Sequence, residues 1–281
     1  MRCAWQAFIN LIPVWMRQEV DKYKDTLQEL RVRLNMPPEI VAHGWTGWIN
    51  RPASAEDLRF CISVASRYSP WTSSSVANGY IACAGGHRIG LCGETINERG
   101  CTKGLSFISS VCIRVARDFP GIARDIEYMD ESVLIIGKPG SGKTTLLRDL
   151  IRNISDNMSG CVAVVDERGE VFPYFQNLPC FPAGKRTDIL SGCKKNHGIE
   201  MVLRSMGPKI IAVDEITAEE DCKALIRAGW CGVKLIATAH ASNRDDLMNR
   251  PVYKPILDTG LFDRLIILQN DKSWREESLK I

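Results

Sequence analysis

One stretch constrains this chain more than any other: Val133-Leu134-Ile135-Ile136-Gly137-Lys138-Pro139-Gly140-Ser141-Gly142-Lys143-Thr144-Thr145-Leu146-Leu147. An apolar run of strand character enters a glycine-rich turn, and a helix-forming segment leaves it. Gly137, Gly142, Lys143 and Thr144 meet the pattern G-x-x-x-x-G-K-(S/T), the phosphate-binding P-loop. Glycines let the backbone curl so that successive N–H groups point at phosphate oxygens. The helix that follows adds its positive N-terminal end. Lys143 is then placed for the β- and γ-phosphates of ATP, and the Thr144 hydroxyl for Mg²⁺. Lys138, Pro139, Gly140, Ser141 and Thr145 complete the cradle.

With 281 residues the chain has room for two modest domains. A net charge of +3 is too small to argue for a nucleic-acid partner. The 11 cysteines include no C-x-x-C pair, which excludes a zinc ribbon or a thioredoxin-like motif. Their odd count and mostly apolar surroundings suit reduced thiols in a cytoplasmic protein. Ala4 to Met16 is apolar-rich, but Gln6, Asn10 and Pro13 interrupt it and it falls short of the ~20 residues of a membrane span. It lacks the cleavage site of a signal peptide. Two readings stay open for it: an amphipathic helix packed on its own domain, or a contact with a membrane surface or partner.

Residues 1–125 read as a smaller α+β domain. A helix is expected over Gln18–Leu30 from Val20, Tyr23, Leu27 and Leu30, with a short alternating strand over Glu29–Leu34. Ser54–Tyr68 reads as a capped helix and Gly79–Ile96 as a hairpin turning at Gly85-Gly86. Val111–Arg117 alternates and reads as a strand, which sets Arg114 and Arg117 on one face. Residues 126–281 alternate short apolar strands with helices. Strands are expected at Ser132–Ile136, Cys161–Val165, Lys209–Val213, Val233–Ala239 and Arg264–Leu268. Helices are expected at Thr144–Asn153, Leu190–Ser205 and Ala218–Ala228. The fold class is α/β: a P-loop NTPase with a RecA-like parallel sheet covered by helices on both faces. Ligands of such sheets bind at the carboxyl ends of the strands.

Polar residues gather at those ends. Ile210-Ile211-Ala212-Val213 closes on Asp214-Glu215, a Walker B element in which Asp214 holds Mg²⁺ and Glu215 orients or deprotonates the attacking water. Asp166-Glu167-Arg168 ends another apolar strand. Asp166 or Glu167 is a candidate to help place water or Mg²⁺, and Arg168 to contact phosphate or a neighbouring subunit. Thr238-Ala239-His240 puts a histidine where a γ-phosphate sensor would sit. Lys194-Lys195-Asn196-His197 reads as a solvated helix face or partner surface.

These residues together resemble the stage III sporulation protein AA family, within the wider group of type II/IV secretion ATPases. The resemblance runs through Tyr80-Ile81, Gly85 to Gly93, Ile108 to Arg117, Gly137 to Thr145, Val165 to Arg168, and Asp188-Ile189-Leu190 with Lys194. It continues through Arg204-Ser205-Met206, Pro208-Lys209, Asp214-Glu215-Ile216, Ala237 to His240 and Phe262-Asp263-Arg264. In that family the Asp166 stretch corresponds to an Asp box and the His240 stretch to a His box. The sequence departs from the family pattern at Gly169, where Ser is expected, and at Ala241, where Gly is expected.

The resemblance implies a cytoplasmic ATPase, peripheral to the membrane, at the base of a secretion-like complex between mother cell and forespore. It also implies a homo-oligomeric ring, hexameric in similar motors, with membrane-protein partners and no nucleic acid. ATP and Mg²⁺ are the expected cofactors. The expected catalytic set is Lys143, Asp166, Glu167, Glu215 and His240, with Thr144 and Asp214 at the metal. Arg114, Arg117 and Arg204 are candidates to reach a neighbouring protomer's nucleotide. Two other classes share such a core: a helicase-type nucleic-acid motor, and a scaffold that binds ATP with little turnover. DNA-stimulated hydrolysis would mark the first and a slow purified ring the second.

Overall fold

The computed structural model describes residues 1–66, 79–98, 101–269 and 271–279. The chain divides into two compact units, Met1–Asp118 with Pro173–Phe181, and Phe119–Phe172 with Pro182–Ile281. The division therefore falls at Asp118 and not at residue 125. Residues just after it belong to the second unit because Gly121 N and Ala123 N both donate to Asp149 Oδ2, each at 2.9 Å.

The first unit is built on a six-stranded antiparallel sheet of order β3-β2-β1-β6-β5-β4. Its strands are β1 (Leu27–Arg33), β2 (Glu39–Ala42), β3 (Trp45–Trp48), β4 (Tyr80–Ala82), β5 (Arg88–Glu98) and β6 (Cys101–Arg114). Helices α1 (Trp5–Asn10) and α2 (Val14–Asp21) are separated by Pro13, whose missing N–H and extended ψ of 146° suit the start of α2. They bury Phe8, Met16 and Val20 in the same core as Leu30 and Ile113 of the sheet. Of the two readings of Ala4–Met16, packing on its own unit is the one observed. Helix α3 (Ala55–Ser66) starts with a reciprocal cap. Ser54 N donates to Asp57 Oδ2 at 2.8 Å, and Asp57 N donates to Ser54 Oγ at 3.2 Å. The end of this expected helix, residues 67 and 68, lies outside the described residues. A small hairpin, β9 (Tyr174–Phe175) with β10 (Leu178–Pro179), also belongs to this unit.

Two expectations fail here for identifiable reasons. The helix foreseen over Gln18–Leu30 ends at Asp21, and Leu27 and Leu30 lie on β1. Both point inward although three residues apart, because the register of β1 shifts between Leu27 and Glu29. Such an irregularity imitates helical spacing. The strand foreseen over Val111–Arg117 ends at Arg114. Arg117 lies past the strand end, and even in an unbroken strand residues three apart would face opposite ways, so the two arginines do not share a strand face. Arg114 Nε instead lies 3.0 Å from Glu29 Oε1, and the Arg117 guanidinium donates to the backbone carbonyls of Leu27 and Lys24.

The second unit holds a seven-stranded sheet of order β11-β8-β12-β13-β7-β14-β15. Its strands are β7 (Val133–Gly137), β8 (Val162–Asp166), β11 (Thr187–Ser191), β12 (Ile210–Val213), β13 (Lys234–His240), β14 (Arg264–Leu268) and β15 (Trp274–Ser278). All pairings are parallel except β14 with β15. Every residue of β7, β8, β12 and β14 is buried, which explains why these segments read as near-continuous apolar runs, with charge only at the strand ends Asp166 and Arg264. Helices α4 (Lys143–Asn157), α5 (Lys195–Ser205), α6 (Glu219–Trp230), α7 (Arg244–Met248) and α8 (Lys254–Leu257) cover the sheet. Alternate strand residues such as Leu134 and Ile211 form one core with Ile199 of α5 and Leu225 of α6. The helix expected from Leu190 begins only at Lys195. Leu190 belongs to β11, which pairs with β8, and a left-handed Gly192 turns the chain between the two.

Among the described residues no helix is long and apolar enough to cross a membrane. Phe8 is fully buried, so Phe8→Ala should lower stability by about 3–5 kcal/mol through lost transfer energy and a residual cavity. Chemical denaturation checks this; an unchanged midpoint would mean that α1 is not part of the core.

Candidate functional site

The glycine-rich turn grows out of the centre of the second sheet. Strand β7 lies between β13 and β14, with Gly137 in register with His240 on one side and Leu268 on the other. A Cβ on Gly137 would sit 2.5 Å from Ser141 Oγ and 3.0 Å from the Leu268 carbonyl oxygen. Only glycine lets the turn close against its neighbours there. Gly140 and Gly142 take left-handed φ values of 73° and 103°, and α4 starts immediately after. Ser141 Oγ is buried without a hydrogen-bond partner. An unpaired hydroxyl inside a curled loop at a helix N-terminus is the arrangement a phosphate group satisfies. Lys138, Pro139 and Gly140 are exposed at the rim, and Thr145 lies half-buried in the first turn of α4.

Lys143 is 6 % exposed, and burial pushes its ammonium below the usual lysine range, an effect opposed by Asp214 and Glu215. Its Nζ donates to the carbonyls of Gly137 at 2.8 Å and Lys138 at 3.0 Å. The third neighbour of Nζ is His240 Nδ1, also at 3.0 Å. An ammonium can only donate, so Nδ1 carries a lone pair and the ring proton sits on Nε2. Nε2–H then donates to Glu215 Oε1 at 3.0 Å. Glu215 Oε2 accepts from Arg168 at 3.1 Å. The backbone of Glu215 is strained, with φ of 54°, and it is fixed by its own N–H donating to Thr238 Oγ1 at 2.7 Å.

Thr238 is the hub of this arrangement. Its hydroxyl accepts from Glu215 N and donates to Asp214 Oδ1 at 2.6 Å. Asp214 Oδ2 accepts from Thr144 Oγ1 at 2.7 Å. One carboxylate thus joins the strand ends of β12 and β13 to the first turn of α4. A hydroxyl and a carboxylate so paired are a suitable donor set for Mg²⁺ that is also bound to phosphate oxygens. No cluster of three or more His, Cys, Asp or Glu side chains placed to hold a metal occurs among the described residues.

Asp166 takes a different part from the one its position suggests. It is 1 % exposed, and its two oxygens accept from Glu170 N, Val171 N and Phe172 N at 2.9–3.0 Å. Burial raises its pKa, with Asp214 adding to the effect and the three amides opposing it. Its oxygens hold a loop, which the buried Arg148 side chain braces through the carbonyls of Glu170 and Val171. Glu167, the next residue, lines a small hollow together with Asp166, Arg168, Asp214 and Glu215.

Two side chains central to this site escape a reading of the sequence. Thr238 carries no signal of its bridging role beyond its place beside His240. Lys195 was expected on a solvated face. It is 4 % exposed, and its Nζ lies 2.9 Å from Glu167 Oε2. Arg204 lies on α5, 81 % exposed and paired with Glu200 at 3.9 Å.

The family described as sporulation stage III, protein AA, matches residues 8–276. Stage III sporulation protein AA of Bacillus subtilis is 39 % identical over 256 residues, 88 % of this chain and 83 % of that protein. Protein SEEDLING PLASTID DEVELOPMENT 1 of Arabidopsis thaliana is 29 % identical over 87 % of this chain, which spans 35 % of that longer protein. Among solved structures, the Legionella pneumophila ATPase DotB aligns over 94 % of this chain and 79 % of its own, with a TM-score of 0.62 at 18 % identity. The pilus retraction motor PilT, solved with bound ADP, aligns over 89 % of this chain and 76 % of its own, with a TM-score of 0.60 at 14 % identity. The fold is that of these ATPases.

Thr238→Val keeps the shape of the hub and removes both of its hydrogen bonds. Leaving Glu215 N unpaired should cost about 1–3 kcal/mol. A denaturant titration reads this directly, and parental stability in the variant would contradict the bridge.

Proposed function

The chain belongs to the sporulation stage III protein AA family, and from that premise we propose that it is a Mg²⁺-dependent ATPase working as a ring-forming motor of the secretion type. One observation carries the reading: Lys143, His240, Glu215, Thr238, Asp214 and Thr144 form a single connected chain of contacts at the carboxyl ends of parallel strands. Loop amides and Lys143 bind the phosphates. Thr144 and Asp214 would hold Mg²⁺, which when bound neutralises phosphate charge. Glu215 orients and deprotonates water, and His240 reports through its two ring nitrogens whether Lys143 is engaged by phosphate. Asp166 acts through the loop that it shapes, and Glu167 supplies a further carboxylate to the hollow.

A ring is supported by the fold shared with DotB and PilT. Arg114 and Arg204, with side chains 60 % and 81 % exposed, are the arginines suited to reach a neighbouring protomer. Arg117 is not, because backbone carbonyls engage its guanidinium. The sporulation relatives support a place on the cytoplasmic side of a membrane complex between mother cell and forespore. Membrane-protein partners follow from that placement, and no nucleic acid is required.

Lys143→Ala should abolish nucleotide binding in an ATP titration; unchanged affinity would remove the phosphate assignment. Glu215→Gln should bind ATP and turn it over ~10²–10⁴-fold more slowly, since the amide keeps the shape and loses the base. An Asp166→Asn variant that keeps parental stability yet slows turnover more than Glu215→Gln does would reverse the two roles. Sedimentation with and without nucleotide tests the ring.

A further inference from the structure

Lys195 is the first residue of α5, and it is almost wholly buried. An ammonium there is adversely placed twice over, by desolvation and by the positive end of the helix. Two carboxylates compensate: Glu167 Oε2 at 2.9 Å and Asp221 Oδ2 at 3.9 Å. Asp221 has other work, since it accepts from the backbone N–H groups of Thr217 and Ala218 at the start of α6. Glu167 has none. Its second oxygen makes no hydrogen bond to a described residue, and its side chain is 37 % exposed. Lys195 and Glu167 line the same hollow as Asp214 and Glu215.

The hollow therefore has two carboxylates each held by one cation. Arg168 grips Glu215 at 3.1 Å, and Lys195 grips Glu167 at 2.9 Å. Asp166, the other acid of that strand end, is consumed by three loop amides. Glu167 is the acid of the β8 end left to face the reaction space, and its direction is set from α5.

We propose that Lys195 is a positioning residue of the ATPase site, holding the Glu167 carboxylate over the hollow so that Glu167 and Glu215 together place the attacking water. The assignment rests on the ATPase reading. Lys195 touches no nucleotide; it acts through Glu167.

The test is a cycle of Lys195→Met, Glu167→Gln and the double variant in the full-length chain, with kcat, KM for MgATP and affinity for a fluorescent ATP analogue measured for each. Methionine matches the length and apolar stem of lysine in a buried position. Each single variant should lower kcat ~10–100-fold, less than the ~10²–10⁴-fold of a lost general base because Glu215 remains, and shift nucleotide affinity less than about 3-fold. The double variant should be no slower than the slower single one, because both changes remove the same positioned carboxylate. Asp221→Asn, whose amide oxygen can still accept from Thr217 N and Ala218 N while the charge opposite Lys195 is lost, should keep kcat within about 3-fold. Lys195→Arg should recover part of the kcat lost in Lys195→Met.

Losses that multiply in the double variant would overturn the assignment. So would a loss of nucleotide affinity equal to the loss of kcat, or an Asp221→Asn variant as slow as Lys195→Met. Parental protein without turnover would sink the ATPase reading itself, and this assignment with it. A parent that turns over ATP while the variants multiply sinks only the assignment.

Discussion

A buried ammonium must be given acceptors, and the centre of this protein is arranged around that demand. Lys143 has three N–H groups and almost no contact with water. Two of them go to the Gly137 and Lys138 carbonyls, which are within reach only because the loop curls back over its own helix. The curl needs left-handed glycines at 140 and 142 and a bare Cα at Gly137. The third N–H goes to His240, which β13 delivers because it pairs with β7 in a register that sets His240 opposite Gly137. Strand order, turn chemistry and side-chain contact here are one requirement expressed at three scales.

The acids at these strand ends are held in separate ways. Five of them, at 166, 167, 170, 214 and 215, line one hollow. Backbone amides compensate Asp166, and hydroxyls compensate Asp214. Glu215 takes a guanidinium and an imidazole, and Glu167 takes a buried ammonium. A carboxylate bound by three rigid amides is fixed in place, whereas Glu167, held through one oxygen by a side-chain cation, keeps the other available.

The parallel sheet was legible because both of its faces are covered, so its strands announce themselves as short apolar runs ending in acids. The glycine-rich loop was legible from its G-x-x-x-x-G-K-(S/T) spacing, and Asp214, Glu215 and His240 as polar residues closing apolar strands. What escaped was set by contacts distant in sequence. Lys195 sits in a basic run that looks solvated, and only the return of the chain beside β8 buries it against Glu167, 28 residues earlier. Strand β11 has an intermediate, mixed surface, so Leu190 was absorbed into the following helix. The irregular β1 let Leu27 and Leu30 imitate a helix. In each case a local pattern was overridden by a pairing that no window of sequence contains.

The same contacts constrain the order in which this centre can change. Lys143 has no unused N–H to offer, so any phosphate oxygen that it binds must replace an acceptor that it already has. The two carbonyls belong to the glycine-rich loop itself, and losing them would open that loop. His240 is the acceptor that can be given up without unmaking the cradle. Once Lys143 leaves Nδ1, the lone pair there is exposed, and the ring that donates to Glu215 Oε1 through Nε2 loses one of its two anchors. Its backbone stays pinned, because His240 N donates to the Tyr253 hydroxyl at 3.1 Å. The freedom gained is thus confined to the side chain, on the carboxylate that faces the hollow. On the proposed ATPase reading, occupancy of that loop and the setting of Glu215 would be coupled through this one imidazole.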